Sequence, residues 1–342
     1  MALSLKPPIP PMEARSTDAI PSGPEWQYEP KWDGFRCLVF RDGAHVALQS
    51  KSGRPLTRYF PDVVASALAL KPKQFVLDGE LVVPRDGTFS FDDLLQRIHP
   101  AKSRIEKLAH ETPALMIVFD LLADDRRSLV KLPLSERRAK LEAFAQANFR
   151  SGIRLSPAAT KLASARAWLR KVGSTLDGII AKRRDAAYSA GVRDAMVKIK
   201  SFRSADCVIG GFRYGVDRRL VGSLLLGLYD DAGLLHHVGF TSSMSRSDKH
   251  ALTARLEKLK GGPGFTGNAP GGPSRWATER SAEWVPLKPR LVVEVGYDHF
   301  SGERFRHGTR LLRWRPDKAP RQCTMEQVKQ KKADLMKLLK GA

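Results

Sequence analysis

The chain has 342 residues, a length that suggests two domains, and its hydrophobic content of 42% is enough for ordinary globular cores. Lysine and arginine number 58 against 36 acidic residues, and the net charge of +22 favours a polyanionic partner such as nucleic acid. No apolar run approaches the length of a membrane span, so no membrane insertion is expected. Three widely spaced cysteines argue against a disulfide framework or a zinc site and fit a reducing cytoplasm.

The first predicted element is an extended, proline-rich leader over residues 1–24. A strand begins near Trp26, and Asp42-Gly43 between two apolar runs predicts a β-hairpin. Hydrophobic periodicity then predicts helices at about 58–70, 91–98, 135–147 and 161–172, and strands at 75–83, 115–122, 178–182 and 196–200. These elements form the first predicted domain, residues 25–203.

The pattern changes near residues 201–204, where we predict a domain boundary. Short strands follow, with one helix at about 245–260 and a Gly/Pro-rich loop at 261–274; the strands are predicted at 207–212, 223–229, 234–240 and 291–297. Several short strands around a single inserted helix suggest a small barrel, and an OB-fold is one such structure. We therefore assign residues 204–322 to an OB-fold β-barrel domain and residues 323–342 to a basic C-terminal surface helix.

The segment Lys31–Gly34 contains a candidate nucleophile, since a lysine lies two residues before an Asp-Gly pair. A lysine amine attacks an electrophile only without its proton, which requires burial or neighbouring cations. Taken alone, this short pattern also arises by chance in roughly one chain in ten of this size. Its significance therefore depends on the other segments that carry chemistry.

Further segments share one property with the first, an apolar strand that ends in charged residues; they are Asp78–Glu80, Val118–Asp120, Asp177–Lys182 and Lys198–Lys200. Strand ends with adjoining glycine turns can aim several side chains into one cleft. Acids there can hold a divalent metal, lysines can neutralise a polyphosphate, and an aromatic ring can stack on a base. Each segment alone is typical of a turn or a solvated strand end, whereas their joint order predicts a phosphate-handling active site.

This order resembles the covalent nucleotidyltransferase superfamily of ligases and capping enzymes, from about residue 26 to residue 322. The closest likeness is to the stand-alone ATP-dependent DNA ligases of bacteria. The resemblance implies an α+β fold, with an ATP-grasp-like adenylation domain of antiparallel sheets and helices followed by the OB-fold β-barrel. It implies ATP and Mg²⁺ (or Mn²⁺) as cofactors, and nicked duplex DNA as the partner of a monomeric, cytoplasmic, nucleoid-associated enzyme of DNA repair or recombination. Nick repair, gap repair and end joining, and any protein partners, stay open.

The resemblance also implies roles for individual residues. Lys31 would carry AMP through a phosphoramide bond, and Lys198 and Lys200 would contact the α-phosphate. The residues expected to contact the nucleotide are Glu29 near the adenine, Arg36 near the ribose or a DNA phosphate, Lys51, Glu80, Phe119 stacked on the adenine, Asp177, and Arg315 and Lys318 near the pyrophosphate. Glu80 and Asp177 would also hold the metal.

Two positions depart from the family pattern, since Lys51 stands where an arginine is usual and Asp177 where a glutamate is usual. Lysine keeps the charge without the bidentate fork of arginine, and the shorter acid changes the geometry of metal binding. Only 30 residues precede Lys31. That is too few for the additional domain of an NAD-dependent ligase, so ATP is the expected cofactor.

Two alternatives are weighed against the ligase. An RNA ligase or a GTP-using capping enzyme belongs to the same superfamily, although the segment Arg315–Lys318 within a complete OB domain disfavours most RNA ligases. A non-catalytic, basic OB-fold protein would bind single strands by stacking and charge without consuming ATP. In the ligase, a hinge near residues 201–204 would permit the domain motion that the reaction requires.

Overall fold

The computed structural model describes residues 3–172, 176–200, 203–216, 219–245, 247–271, 283–329 and 334–340. The chain divides into two compact units, Met1–Ser201 with Lys331–Ala342, and Phe202–Gln330. Each unit has its own buried hydrophobic core. The predicted hinge begins on residues 201 and 202, which lie outside the described residues, as do residues 272–274 of the predicted loop.

The strands and helices run as follows. The strands are β1 (Arg15–Ser16), β2 (Trp26–Lys31), β3 (Phe35–Asp42), β4 (His45–Ser50), β5 (Gln74–Val82), β6 (Pro84–Arg85), β7 (Thr88–Phe89), β8 (Leu115–Asp124), β9 (Arg127–Ser128), β10 (Ile153–Leu155), β11 (Gly178–Arg183), β12 (Met196–Lys200), β13 (Arg203–Tyr214), β14 (Val221–Tyr229), β15 (Leu235–Thr241), β16 (Val285–Pro286), β17 (Val292–Tyr297), β18 (Phe300–Ser301), β19 (Arg304–Phe305) and β20 (Arg310–Trp314). The helices are α1 (Pro61–Leu68), α2 (Phe91–Gln96), α3 (Lys102–Glu111), α4 (Leu134–Asn148), α5 (Leu162–Val172), α6 (Lys249–Glu257) and α7 (Met336–Lys340). Across the described ranges, no helix has the length and apolar character needed to cross a membrane.

Sheet I of the first unit has the strand order β1-β12-β11-β2, with one parallel pair, β1 and β12. Successive residues of its strands point to opposite faces. On one face Tyr28 and Val197 belong to a buried core against which α5 packs. On the other face Glu29 and Lys198 lie in register across the sheet. The polar face is therefore available to line a site.

Sheet II of the same unit has the strand order β10-β8-β5-β3-β4, and β9 pairs with β8. Its central strands β5 and β8 are buried over most of their length. Helices α1 and α4 pack against it and bury Val63 and Leu141. The predicted hairpin is confirmed, because β3 and β4 pair antiparallel and Gly43 adopts a φ of +63° in the turn.

Most elements predicted for this unit are confirmed within a few residues. The strands predicted at 75–83 and 115–122 are β5 and β8, and the helix predicted at 135–147 is α4. The helix predicted at 58–70 is shorter, because a 3-10 turn at Thr57–Tyr59 precedes α1, which begins at Pro61. Proline suits this first helical position, where its missing N–H needs no partner.

The leader packs along the first unit over its described residues, although it has little regular structure. Met12 is buried, and the Glu13 N–H donates to the Val192 carbonyl at 2.9 Å. The Thr17 N–H donates to the Lys198 carbonyl at 3.1 Å. Through these contacts β1 becomes the edge strand of sheet I.

The second unit is built on sheet III, with the strand order β15-β14-β13-β17-β20 and β16 paired with β13. The α+β class with antiparallel sheets is confirmed, but the expected closed barrel is not formed by continuous ladders in the described residues. The end strands meet at one isolated parallel bridge, between Thr241 and Thr309. The reason is limited overlap, since β15 ends at Thr241 and β20 begins only at Arg310.

The continuous helix expected over residues 323–342 does not form in the described part of that segment. A 3-10 turn spans Met325–Val328, and the five-residue α7 is separate from it. Residues 330–333, 341 and 342 lie outside the described residues. Leu335 and Leu339 join the buried core under sheet I, so tertiary packing fixes this segment more than its own helical periodicity.

Candidate active site

One cleft in the first unit collects most of the predicted site residues. Its volume is about 500 Å³. The predicted residues that line it are Glu29, Lys31, Arg36, Lys51, Glu80, Phe119 and Lys198. Asp177 and Lys200 are not among its lining residues, although both stand beside Lys31 in sheet I.

Lys31 ends β2, and its Nζ forms an ion pair with Asp177 Oδ2. The side chain of Lys31 is 21% exposed to the cleft, whereas Asp177 is 6% exposed. Gly178 lies opposite Lys31 in the ladder, and a Cβ on it would lie 2.0 Å from the Ile199 carbonyl oxygen. Glycine therefore permits the close approach of β11 to β12 directly after Asp177.

Lys198 adds a second cation to the cleft from the neighbouring strand β12. It lies in register with Glu29 through β11, on the polar face of sheet I. Partial burial, and then the charges of Lys31 and Lys200, lower the pKa of Lys198. Mutually repelling cations of this kind form a favourable site for a polyphosphate.

Lys51 and Arg193 extend the positive charge at the rim of the cleft. Lys51 Nζ lies 3.1 Å from Glu13 Oε2, and Arg193 Nη2 lies 2.6 Å from the same oxygen. The hydrogen bond from Lys51 is the largest cause that lowers the pKa of Glu13, and Arg193 adds to it. Both cations therefore bind one anionic oxygen already, and a phosphate oxygen presents the same chemistry.

Phe119 projects into the cleft because of a β-bulge. Asp78 pairs with Asp120 and Gly79 pairs with Val118, which leaves Phe119 as the extra residue of β8. Such bulges turn a side chain out of the regular ladder and occur often beside active sites. The ring centroid lies 4.5 Å from Arg36 Cζ and 4.5 Å from Lys182 Nζ. The ring is only 8% exposed, but it lines the cleft, where a base could stack on it.

Glu29 forms a polar wall near this ring. It is 2% exposed, and each carboxylate oxygen has a partner. Gln27 Nε2 donates to Oε1 at 2.8 Å, and Lys182 Nζ lies 2.7 Å from Oε2. These side chains present donors and acceptors that can recognise the edge of a base.

Among the acidic residues predicted for the site, Glu80 has the most strongly shifted pKa. Burial raises the pKa of Glu80 to about 7, against the opposing charges of Arg36 and Lys31. In the described part of the chain, no group of three or more acidic, histidine or cysteine side chains is arranged to hold a metal. Glu80 and Asp177 could supply two oxygen ligands, and Mg²⁺ commonly takes its others from water and substrate phosphates.

Arg315 and Lys318 belong to the second unit, where they converge on a buried acid. Arg315 Nη1 lies 2.8 Å from Asp206 Oδ1, and Lys318 Nζ lies 2.7 Å from Asp206 Oδ2. The side chain of Arg315 also bonds Asp317 at 2.8 Å. The two predicted cations are thus neighbours with a shared anchor.

Glu13 and Arg193 line the cleft and were not identified from the sequence. Asp78, beneath Arg36, and Lys182 lie in segments that were singled out, but neither received a role of its own. Lys182 follows Ile180 by two residues, so strand alternation could have placed it on the polar face. The Glu13 pair with Arg193 spans 180 positions, and no local pattern signals it.

Family models match both units. The model described as ATP dependent DNA ligase domain matches residues 11–200, and the model described as ATP dependent DNA ligase C terminal region matches residues 217–318. An enzyme with these two regions in this order is a nucleic-acid ligase of the nucleotide-dependent class. The chain belongs to the ATP-dependent DNA ligase family, and ATP is its nucleotide substrate. The RNA ligase, capping enzyme and non-catalytic alternatives are not favoured by these matches.

Individual relatives agree with the family. DNA ligase C2 of Mycolicibacterium smegmatis is 44% identical over 346 residues, covering 96% of each chain. The multifunctional non-homologous end joining protein LigD of Mycobacterium bovis is 34% identical over 307 residues, covering 88% of this chain and 38% of LigD. A solved Lig E DNA ligase has 16% identity and a TM-score of 0.53, covering 89% of this chain and 99% of that one, which supports the fold alone.

Proposed function

We propose that this DNA ligase seals nicks in duplex DNA, joining a 5′-phosphate to a 3′-hydroxyl, through an AMP group carried on Lys31. The observation that carries the proposal is the place of Lys31 Nζ at the end of β2, at a cleft with Lys51, Lys198 and the Phe119 ring. A nucleophile, charge-neutralising cations and a base platform are the parts that nucleotidyl transfer needs.

In the first step Lys31 Nζ attacks the α-phosphorus of ATP. The N–P bond forms, and the P–O bond to pyrophosphate breaks. Asp177 Oδ2 contacts Nζ and is positioned to accept the proton of the amine. Lys198, with Lys200 two residues further along β12, stabilises the charge that develops on the phosphoryl oxygens. Phe119 stacks on the adenine, and Glu29 lies at its edge.

In the second and third steps the AMP changes carriers and is released. A 5′-phosphate oxygen at the nick attacks the phosphorus of the lysyl-AMP, and the N–P bond breaks. The 3′-hydroxyl then attacks the activated 5′-phosphorus, so the new phosphodiester forms as AMP leaves. Arg36 and Lys51 supply cations for the DNA phosphate, a role that lysine can perform at position 51 with a single charged contact.

Mg²⁺, or Mn²⁺, fits the oxygen-rich side of the cleft. Glu80 and Asp177 would hold it, and it would supply further neutralisation of phosphate charge when bound. The raised pKa of Glu80, about 7, means that cation binding competes with a proton at this carboxylate. Position 177 holds an aspartate where the family pattern has a glutamate, and this shorter acid forms a direct ion pair with Lys31.

Arg315 and Lys318 are proposed to orient the pyrophosphate of ATP during the first step. Their shared contact with Asp206 holds both side chains ready in the second unit. Pyrophosphate oxygens would replace this carboxylate as their partner, since both are anionic acceptors.

The biological setting is proposed more coarsely. The name of the LigD relative connects that protein with non-homologous end joining, which makes DNA repair a reasonable setting for this enzyme. We expect a cytoplasmic monomer near the nucleoid. Light scattering of the purified protein, with and without nicked DNA, tests the monomer, and a constant dimer mass would contradict it.

The decisive test is covalent labelling with α-³²P-ATP. We expect the unsubstituted protein to retain label after denaturation and Lys31→Ala to retain none. Lys107→Ala is the matched control, because Lys107 is 69% exposed on α3 and should label normally. Label retained by Lys31→Ala would exclude this lysine as the AMP carrier.

Substrate choice is tested by transfer to a nick. Duplexes with DNA or RNA at the 3′-hydroxyl strand and at the 5′-phosphate strand are incubated with the labelled enzyme. We expect sealing to be fastest when both strands are DNA. A preference for RNA at both positions would contradict the proposal while leaving the labelling result intact.

A further inference from the structure

A tyrosine hydroxyl reaches the carboxylate that holds Arg36. Asp78 is fully buried beneath the cleft, and its two oxygens bind Arg36 at 2.5 Å from Nε and 2.6 Å from Nη2. Tyr188 Oη donates to Asp78 Oδ2 at 2.7 Å. The hydroxyl and the guanidinium therefore share one carboxylate, whose orientation depends on both.

The leader holds Tyr188 and Arg36 from a second side. The Met12 N–H donates to Tyr188 Oη at 3.0 Å, and Arg36 Nη2 donates to the Met12 carbonyl at 3.4 Å. The hydroxyl thus accepts one hydrogen bond and donates another, which fixes its proton toward Asp78. Burial raises the pKa of Tyr188, and the Asp78 charge raises it further, so the hydroxyl remains a donor at neutral pH.

The ring of Tyr188 is also fixed in position. Arg137 Cζ lies 5.7 Å from the ring centroid, and Arg137 is bound by Asp120 at 2.9 and 3.0 Å. Asp120 lies opposite Asp78 in sheet II and follows Phe119 directly. The tyrosine therefore sits between two Asp–Arg pairs whose aspartates are both buried, and it is supported from the strand that carries Phe119.

Arg36 is the group through which this arrangement reaches the cleft. Its guanidinium lies 4.5 Å from the Phe119 centroid and lines the cleft with Lys31. Removal of the Tyr188 hydroxyl leaves Arg36 and its carboxylate in place but frees the carboxylate to rotate. A small displacement of a charged group at a reacting centre can lower a rate by as much as about a hundredfold.

We infer that Tyr188 is a positioning residue for the ligation reaction, which acts through the Asp78 carboxylate to hold Arg36 at the site of nucleotidyl transfer. This inference rests on the proposed function, since it assigns Arg36 to the phosphate chemistry. It adds a residue from the loop after β11, far in sequence from the nucleophile. It also gives the buried Asp78 a second partner beside Arg36.

The test is a double-substitution cycle with Tyr188→Phe and Arg36→Ala. Single-turnover formation of the lysyl-AMP is measured at saturating ATP and as a function of ATP concentration. We expect Tyr188→Phe to lower the rate roughly tenfold in the unsubstituted protein, the scale of one lost hydrogen bond to a charged group. In the Arg36→Ala background the same exchange should change the rate less than about twofold, because its target is gone.

Two further variants sharpen the result. Tyr214→Phe removes a hydroxyl that bonds the Glu257 carboxylate in the second unit, and it should leave the rate unchanged. Asp78→Asn weakens the link between the tyrosine and the arginine, so as a single substitution it should lower the rate. In a protein that already carries Tyr188→Phe, the same substitution should lower the rate by less than about twofold.

Several results would overturn the inference. They are an unchanged rate for Tyr188→Phe, an equal loss in both backgrounds, or a protein that no longer folds, since the hydroxyl would then serve stability alone. Thermal melting of each variant identifies the last case. Absence of label in the unsubstituted protein would instead contradict the proposed function, so the two failures are distinguishable.

Discussion

Replacement of Glu80 by glutamine should make the stability of the first unit less dependent on pH. The substitution keeps the shape of the side chain and removes its charge. Burial in the cleft raises the pKa of Glu80 from 4.5 to about 7, so the folded protein binds this proton more tightly than the unfolded chain. The stabilising effect of that proton is complete below about pH 4.5 and is lost as the pH rises to about 7.

The size of the effect follows from the shift. A change from 4.5 to about 7 corresponds to roughly 3.5 kcal/mol, at about 1.4 kcal/mol for each pH unit. Glu80 is partly exposed, and solvent screening reduces the effect. We therefore expect the glutamine variant to gain about 2 kcal/mol over the unsubstituted protein between about pH 5 and about pH 8.

Urea unfolding of both proteins at these two pH values, without divalent metal, measures the difference. The control is Glu106→Gln, because Glu106 is 59% exposed on α3 and its exchange should show no such pH dependence. An identical pH response of the Glu80 variant and the unsubstituted protein would refute a raised pKa of Glu80 in the folded protein. The opposite sign would mean that Glu80 is stabilised as a carboxylate by Arg36 and Lys31.

Three other substitutions test residues that line the cleft or lie beside it. Arg137→Ala leaves Asp120 buried without its partner and should lower the free energy of unfolding by about 3–5 kcal/mol; a melting temperature within a degree or so of the original would contradict this. Gly178→Ala should destabilise by about 1–3 kcal/mol, because φ is +146° and the new Cβ meets the Ile199 carbonyl, and unchanged urea unfolding would argue against it. Phe119→Leu should raise the KM for ATP roughly tenfold through lost base stacking, with unaltered KM as the contrary result.

The sequence predicts the residues at the centre of the cleft better than the surrounding residues that hold them in place. Lys31 and Lys198 lie on strands whose alternation and order are visible locally, so their approach could be expected. Phe119 could also be singled out as a candidate, but the bulge that turns it toward the cleft depends on how β5 pairs with β8. Tyr188 and Asp78 are 110 positions apart, and only the folded chain brings them together.

Long-range contacts that the local sequence does not reveal also explain the incorrect predictions. A regular spacing of lysines and apolar residues predicted one long C-terminal helix, whereas burial of Leu335 and Leu339 under sheet I selects a short one. The prediction of a closed barrel was wrong because the end strands β15 and β20 overlap too little to pair along their length. Where these strands begin and end depends on the neighbouring ladders rather than on their own composition. The local sequence pattern thus indicates whether a segment is a helix or a strand. Long-range packing and pairing decide how long that element is and whether a sheet closes into a barrel.

The short strand β1 has a practical consequence for handling this protein. It covers the outer edge of β12, and uncovered strand edges recruit strands from other molecules. A shortened protein that starts after Thr17 would therefore tend to self-associate through β12. It would also lose Glu13, the present counter-ion of Lys51 and Arg193, so nonspecific adsorption of polyanions at the cleft rim would increase. Trimming the proline-rich leader would thus change both solubility and background DNA binding.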